Sequence, residues 1–193
     1  MEFIPGNARL VLDAATYQKE KNDLKAAVQK ALLVEYKELL TISESGRSSW
    51  STGAVNIRRE LKAAFPKVKF RVKSNTYSGG TSIDVYWIDG PTTEEVKKIT
   101  AKYEHGSFDG MTDSYNYDYD NQFPGVFGGA KYVMENRTIS EKAYNDVAKT
   151  LGYNEAVFEP SQGGYSGVAY NTSEHLKREA WKRTFDSKET IGY

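Results

Sequence analysis

Cysteine is absent from the 193 residues of this sequence, and histidine occurs only twice, as His105 and His175. Without a thiol the chain can form no disulfide, no thiolate nucleophile, no iron–sulfur cluster and no cysteine-ligated zinc site. Two imidazoles leave few options for a metal site or for a histidine-dependent catalytic triad. We therefore expect a non-enzymatic protein with no catalytic residues, no metal site and no cofactor.

Long apolar runs are also absent. No stretch of eighteen apolar residues occurs, and the first dozen residues lack the basic and apolar regions of a signal peptide. We expect no membrane span and no export, and the lack of cysteine is consistent with a reducing cytoplasm. The 26 basic and 26 acidic residues balance. No overall field attracts nucleic acid, and such binding would need a local patch.

The first forty residues predict a long helix over 14–40, because this stretch has no Gly or Pro and many strong helix formers. Apolar residues spaced by three or four form one stripe along this helix: Leu24, Val28, Leu32, Tyr36 and Leu39. We expect the stripe to pack on the protein's own core or on a second copy, which would give a monomer or a homodimer. The Gly- and Ser-rich segment 43–53 predicts a linker after it.

A β-hairpin is predicted in the middle of the chain. Strict alternation over 67–73 indicates a strand that turns its apolar residues toward a core and its four cations the other way. A turn over 75–80 leads to a second alternating strand that carries Ile83, Val85 and Trp87. Thr92 and Glu95 have the spacing of a capping box, which predicts that a helix follows.

Later segments complete an α+β fold. A third strand is expected over 131–137, a helix after Ser140 and a basic helix over 173–185. The fold predicted is a small, mostly antiparallel sheet of three to four strands covered by helices on one face, with an N-terminal helical arm. The segments are then an arm over 1–45, a core over 46–153, and a loop and C-terminal basic helix over 154–193, packed on the core.

Four stretches in the middle of the chain carry a resemblance to a known family. They read AFPKVKF at 64–70, YSGGTSI at 77–83, VYWIDGPT at 85–92 and FDGMTDSY at 108–115. In order and spacing they resemble the large polyvalent-protein-associated domain of the type numbered 29. Such domains are pieces of large proteins of phages and conjugative elements, where they sit beside modules thought to protect the incoming DNA.

The resemblance implies a protein of a phage or other mobile element with a counter-defence role. Its target would be a bacterial defence protein or protein–nucleic acid complex in the cytoplasm of the infected or recipient cell, as for an anti-CRISPR or anti-restriction inhibitor. The family resemblance brings no established catalytic residues with it.

Charge is distributed unevenly along the chain. Segment 58–73 contains one acidic residue, Glu60, and seven cations: Arg58, Arg59, Lys62, Lys67, Lys69, Arg71 and Lys73. These cations could track a phosphate backbone, with Tyr77 and Tyr86 available for stacking, in a nucleic-acid-binding accessory protein. The alternative is a solvated sheet face whose cations meet Asp84 across the hairpin, or the acidic segment 104–120.

That acidic segment alternates tyrosine with asparagine and aspartate. It presents aromatic area and negative charge together, as protein-binding patches do. The residues predicted to bind a partner are Tyr115, Tyr117, Asp118, Tyr119 and Asp120. Asp109 and Asp113 are interpreted as turn residues that bond their own backbone. The EF-hand order of ligands is not matched, because no Gly holds the sixth position after Asp118 and no Glu closes the loop.

Overall fold

The chain folds into helices packed on one face of a small sheet, with a second, two-stranded sheet beside it, which confirms the predicted α+β class. The structure, a computed structural model, describes residues 6–152 and 174–185. Its elements in chain order are α1 (Gly6–Glu35), α2 (Ile42–Ser45), α3 (Ser49–Ala64), β1 (Arg71–Tyr77), β2 (Gly80–Ile88), α4 (Thr93–Thr100) with the 3-10 turn Ala101–Tyr103, β3 (Gly106–Asp109), β4 (Ser114–Tyr117), α5 (Phe123–Phe127), β5 (Tyr132–Thr138), α6 (Glu141–Thr150) and α7 (Glu174–Lys182).

The main sheet has the strand order β1-β2-β5. Strands β1 and β2 pair antiparallel, as do β3 and β4 in the smaller sheet. Strand β5 instead pairs parallel with β2, with Ser82 opposite Tyr132 and Ile88 opposite Thr138. A parallel partner needs a long crossover. Here α4, the β3–β4 hairpin and α5 supply it.

The first strand begins later than its alternation predicted. Residues 65–70 are irregular, and β1 runs from Arg71 through the predicted turn to Tyr77, which pairs with Gly80. The irregular segment still packs its partly buried rings against the core, since the ring centroid of Phe70 lies 5.7 Å from that of Trp87 and 6.0 Å from that of Phe65. Pairing with the long strand β2 keeps residues 75–77 extended, so the turn shrinks to residues 78 and 79.

Only one face of the main sheet is covered. Helices α3 and α4 pack on it, and the capping box of Thr92 and Glu95 begins α4 as predicted. This inner face contributes the buried side chains Val72, Ile83, Val85, Trp87 and Val133 to the core. Each fully buried apolar side chain is worth roughly 1.5–3 kcal/mol. Within the part of the chain that the structure describes, no helix packs on the opposite face, here called the outer face.

The N-terminal helix only partly follows the prediction. It spans 30 residues, about 45 Å at 1.5 Å per residue, and Leu32 near its end packs on the core together with Tyr36 and Leu39 just beyond it. Leu24 and Val28 are 67% and 38% exposed. Leu24 and Val28 therefore do not pack on the protein's own core, because the core reaches only the C-terminal end of the helix. Packing of these two residues on a second copy stays a prediction.

The segment 43–53 is not a linker in the structure. It forms α2 and opens α3, and Thr52 and Gly53 are buried. A Cβ at Gly53 would lie 3.0 Å from the backbone nitrogen of Gly129 and 3.1 Å from the carbonyl carbon of Gly128. Glycine at this position allows α3 to pack closely against the loop after α5. The linker prediction was wrong because composition alone does not distinguish a glycine needed for close packing from one in a flexible segment.

Helices α6 and α7 form a second, smaller core at the end of the chain. Its buried members are Ile139, Ala143, Tyr144, Val147, Ala148, Leu176 and Ala180. The predicted loop that opens segment 154–193, and the last residues of that segment, lie outside the described residues. None of the helices in 6–152 and 174–185 has the length and hydropathy needed to cross a bilayer.

Candidate binding surfaces

The β3–β4 hairpin and the turn after it, residues 106–120, are here called the tyrosine hairpin. Strand pairing puts Phe108 opposite Tyr115 and Gly106 opposite Tyr117, so the aromatic side chains share one face. The rings of Tyr115 and Tyr117 lie 4.8 Å apart, and that of Tyr119 lies 6.2 Å from Tyr117. A Cβ at Gly106 would come within 2.0 Å of the carbonyl oxygen of Asn116, so only glycine permits this close pairing.

The predicted partner-binding tyrosines have different roles. Tyr115 is half-buried, donates its hydroxyl to the carbonyl of Lys131 and packs its ring 5.3 Å from that of Tyr132. Burial, with a smaller effect of the Glu104 charge, raises the pKa of the Tyr115 phenol. Tyr117 and Tyr119 are 50% and 81% exposed. Tyr115 therefore anchors the hairpin to β5, and the other two tyrosines present it to solvent.

Sequence reasoning missed two apolar members of this surface. Phe108 is 52% exposed and Met111, at the tip of the hairpin, is 97% exposed. The pairing of Phe108 with Tyr115 could have been found only by recognising that β3 and β4 form a hairpin. With Tyr117 and Tyr119, at the opposite end of the hairpin, they give this acidic segment an exposed surface rich in aromatic and apolar side chains.

The carboxylates of the tyrosine hairpin organise turns. Asp109 accepts hydrogen bonds from the Met111 amide and the Thr112 hydroxyl, both at 2.9 Å, and these lower its pKa. Asp113 has a positive φ of 49°. Asp118 accepts from the backbone amides of residues 120 and 121, at 3.0 and 3.2 Å, while Asp118 and Asp120 are both exposed. The turn interpretation agrees with this geometry.

A polar groove of about 420 Å³ adjoins Tyr117 on this hairpin. Its lining includes two carboxylates, Glu104 and Asp118, and the amides Asn116 and Asn121. Burial raises the pKa of Glu104, so a cation placed in the groove would lower it again. The groove can therefore accept a basic side chain beside an aromatic ring.

The histidines are placed on separate elements. Burial lowers the pKa of His105, just before β3, so a charged imidazole is disfavoured there. His175 is exposed in the first turn of α7. Among the described residues, no three histidine or carboxylate side chains come together as a metal-binding group.

The seven predicted cations do not form one patch. Arg71 and Lys73 project from the outer face of β1, whereas Arg58, Arg59 and Lys62 belong to α3 on the inner side of the sheet. Arg58 reaches the β1 edge and donates to the Val72 carbonyl at 2.7 Å, and Arg59 donates to the Glu38 carbonyl. Lys67 and Lys69 lie in the irregular segment before β1.

On the outer face, Lys73 lies directly opposite Asp84 in the strand register. This agrees with the interpretation of the basic segment as a solvated sheet face whose cations meet Asp84 across the hairpin. Asp84 is only 9% exposed and accepts hydrogen bonds from Asn75 at 2.7 Å and Ser82 at 3.3 Å. Arg71 lies opposite Tyr86. The outer face therefore presents exposed cations beside Asp84, and Asp84 accepts its hydrogen bonds from other residues of the same sheet.

The sheet, its covering helices and the tyrosine hairpin form an α+β domain whose exposed surfaces differ in charge. Residues 49–140, from the first residue of α3 to the residue before α6, match the family model Large polyvalent protein associated domain 29. The resemblance seen in the sequence is thus confirmed for these residues. The match covers a little under half of the chain. No curated protein and no solved structure was found to match the chain.

Proposed function

We propose that this protein is a non-enzymatic inhibitor from a phage or other mobile element that binds a bacterial defence component, of the anti-CRISPR or anti-restriction kind. The observation that carries the proposal is the row of exposed aromatic side chains on the tyrosine hairpin, Phe108, Tyr117 and Tyr119. Aromatic side chains that become buried in an interface are the residues on which binding energy concentrates. The family match supports the mobile-element setting, since its name refers to polyvalent proteins.

The chemistry of the hairpin favours a basic partner surface. Asp118 and Asp120 flank Tyr119 in the sequence, and the groove beside Tyr117 carries two carboxylates. Tyrosine rings attract Arg and Lys by cation–π contact, and carboxylates add charge complementarity. Basic surfaces are typical of proteins that hold nucleic acid. A hairpin bound there would occupy the place of the nucleic acid.

The proposal is tested by plasmid interference in bacteria that carry a CRISPR or restriction system. Expression of the wild-type protein should restore transformation by a targeted plasmid, and Tyr117→Ala with Tyr119→Ala should abolish this effect. An aromatic anchor contributes roughly 2 kcal/mol or more to binding, so each of the two substitutions should weaken binding at least about thirtyfold. The complex isolated at high salt should contain a defence protein with wild type and lack it with the double variant.

Tyr17→Ala is the matched control, because Tyr17 is 66% exposed on α1, away from the hairpin. It should keep full inhibition. Inhibition that survives the double hairpin variant, with both proteins folded by circular dichroism, would refute the assignment of the hairpin as the binding surface.

A further inference from the structure

The outer face of the main sheet has a composition that the proposed inhibitor surface does not use. Its exposed residues combine two cations, two amides, one tyrosine and one thioether: Arg71, Lys73, Asn75, Asn136, Tyr77 and Met134. Two further rings, Tyr86 on β2 and Tyr132 on β5, are partly exposed on the same face. Cations, rings and amides together on an open sheet are unlike the apolar centre of a protein interface.

We infer that this outer face binds single-stranded nucleic acid, DNA or RNA, with phosphates at Arg71 and Lys73 and bases stacked on Tyr86 and Tyr132. Tyr132 lies opposite Ser82, four residues along β2 from Tyr86. At about 3.3 Å per residue and about 4.8 Å between strands, the Cα atoms of the two tyrosines stand roughly 14 Å apart. Unpaired bases can stack on rings spaced in this way, whereas a duplex hides its base faces.

The charge of the face agrees with a polyanionic ligand. Asp84 is the one carboxylate among the outward side chains of β1, β2 and β5, and it is nearly buried and hydrogen-bonded to Asn75 and Ser82. Arg71 and Lys73 outnumber it. Arg58, whose guanidinium contacts the Val72 carbonyl, adds positive charge along the β1 edge. A phosphate backbone is therefore attracted to the β1 side of the sheet.

The tyrosine hairpin bounds the proposed nucleic-acid site on the β5 side of the main sheet. Tyr115 meets the ring of Tyr132 at the β5 edge, and Lys131 lies about 5 Å from both ring centroids. Beyond this contact the hairpin carries its aspartates, which repel phosphate. The bound strand should therefore run from the ring of Tyr132 across Tyr86 toward Arg71, and away from the hairpin.

Fluorescence anisotropy of labelled oligonucleotides tests the inference. A mixed-sequence single strand of about fifteen nucleotides, as DNA and as RNA, should bind more tightly than the duplex of the same sequence. Binding of at least one of the two single strands supports the site, and the ratio of the two affinities states which nucleic acid it prefers. Absence of binding to both single strands at low salt, or equal affinity for the duplex, would overturn it.

Two variants separate phosphate contact from stacking. Arg71→Glu with Lys73→Glu should weaken binding more than tenfold, and the slope of log affinity against log salt should become shallower by about 1.4, because two phosphate contacts are lost. Tyr86→Leu should weaken binding by at least about fivefold at fixed salt and leave that slope unchanged.

Lys19→Glu with Lys25→Glu is the charge-matched control, since both lysines are exposed on α1. It should bind within about twofold of wild type. Equal losses in the control and the outer-face variants would mean that net charge alone drives binding, which contradicts a site on this face. The experiment is independent of plasmid interference, so failure of either proposal leaves the other standing.

Discussion

Single polar residues hold together parts of this fold that are distant in sequence. Asn56 on α3 is fully buried, and its side-chain amide bonds the backbone of Leu40 and the carbonyl of Phe127. Arg137 on β5 is 6% exposed and donates to four carbonyls, those of Asp89, Gly90, Trp181 and Arg183. Burial lowers the pKa of its guanidinium, and the carboxylate of Asp89 opposes that shift. Arg137 thus joins α7 to the turn between β2 and α4.

We expect Arg137→Met to destabilise the protein by on the order of 3 kcal/mol, because each buried carbonyl left without a donor costs about 1–3 kcal/mol. Arg137→Lys should recover little, since an ammonium cannot reproduce the planar arrangement of donors. Urea unfolding measures both variants. The control is Arg47→Met, at an exposed arginine outside both cores, which should change the free energy of unfolding by no more than about 0.5 kcal/mol. Equal effects at the two positions would show that Arg137 is not a structural link.

Elements differ from the sequence prediction mainly at their ends. The long N-terminal helix exists, but it begins at Gly6 and ends at Glu35, and only its last turn and the residues beyond it meet the core. Tyr36 shows why, because its ring packs edge-on against Phe123 at 5.0 Å and near Phe127 at 5.9 Å. Those partners belong to α5, more than eighty residues later in the chain. No local pattern could reveal that this end of the helix is the anchored one.

Substitutions at the two ends of the apolar stripe should therefore behave differently. Leu32→Asp should lower stability by about 2 kcal/mol, since it replaces a side chain packed on the core. Leu24→Asp, at a residue 67% exposed, should change stability by less than about 0.5 kcal/mol and leave the mass of the particle unchanged. Thermal unfolding and light scattering measure both properties. A halved mass for Leu24→Asp would show instead that the exposed part of α1 is a dimer interface.

At the scale of the whole molecule, zero net charge conceals two surfaces of different character. The acidic tyrosine hairpin and the cationic outer face lie on different sheets and meet where Tyr115 contacts Tyr132 and the neighbouring Lys131. Opposite charges on adjoining surfaces suit a protein that holds a basic partner on one and a polyanion on the other.

The two surfaces should act independently, because substitutions at separate sites add to within about 0.5 kcal/mol. Tyr117→Ala with Tyr119→Ala should keep single-strand affinity within about twofold, and Arg71→Glu with Lys73→Glu should keep plasmid protection. Anisotropy and plasmid interference, each run on both double variants, provide the measurements. Loss of both activities in either variant would mean that the rows of tyrosines form one continuous site.

Local periodicity and short motifs were enough to predict the class of fold, the capping box at Thr92, the buried face of β2 and the family resemblance of the middle of the chain. The sequence also located the acidic tyrosines and the basic segment. Tertiary structure alone decided that β5 pairs parallel with β2, that Tyr115 is an anchor, and that the seven cations separate onto different sides of the sheet. The physical reason is that alternation tells which side chains share a face. Only packing between residues far apart in the chain decides which face is covered.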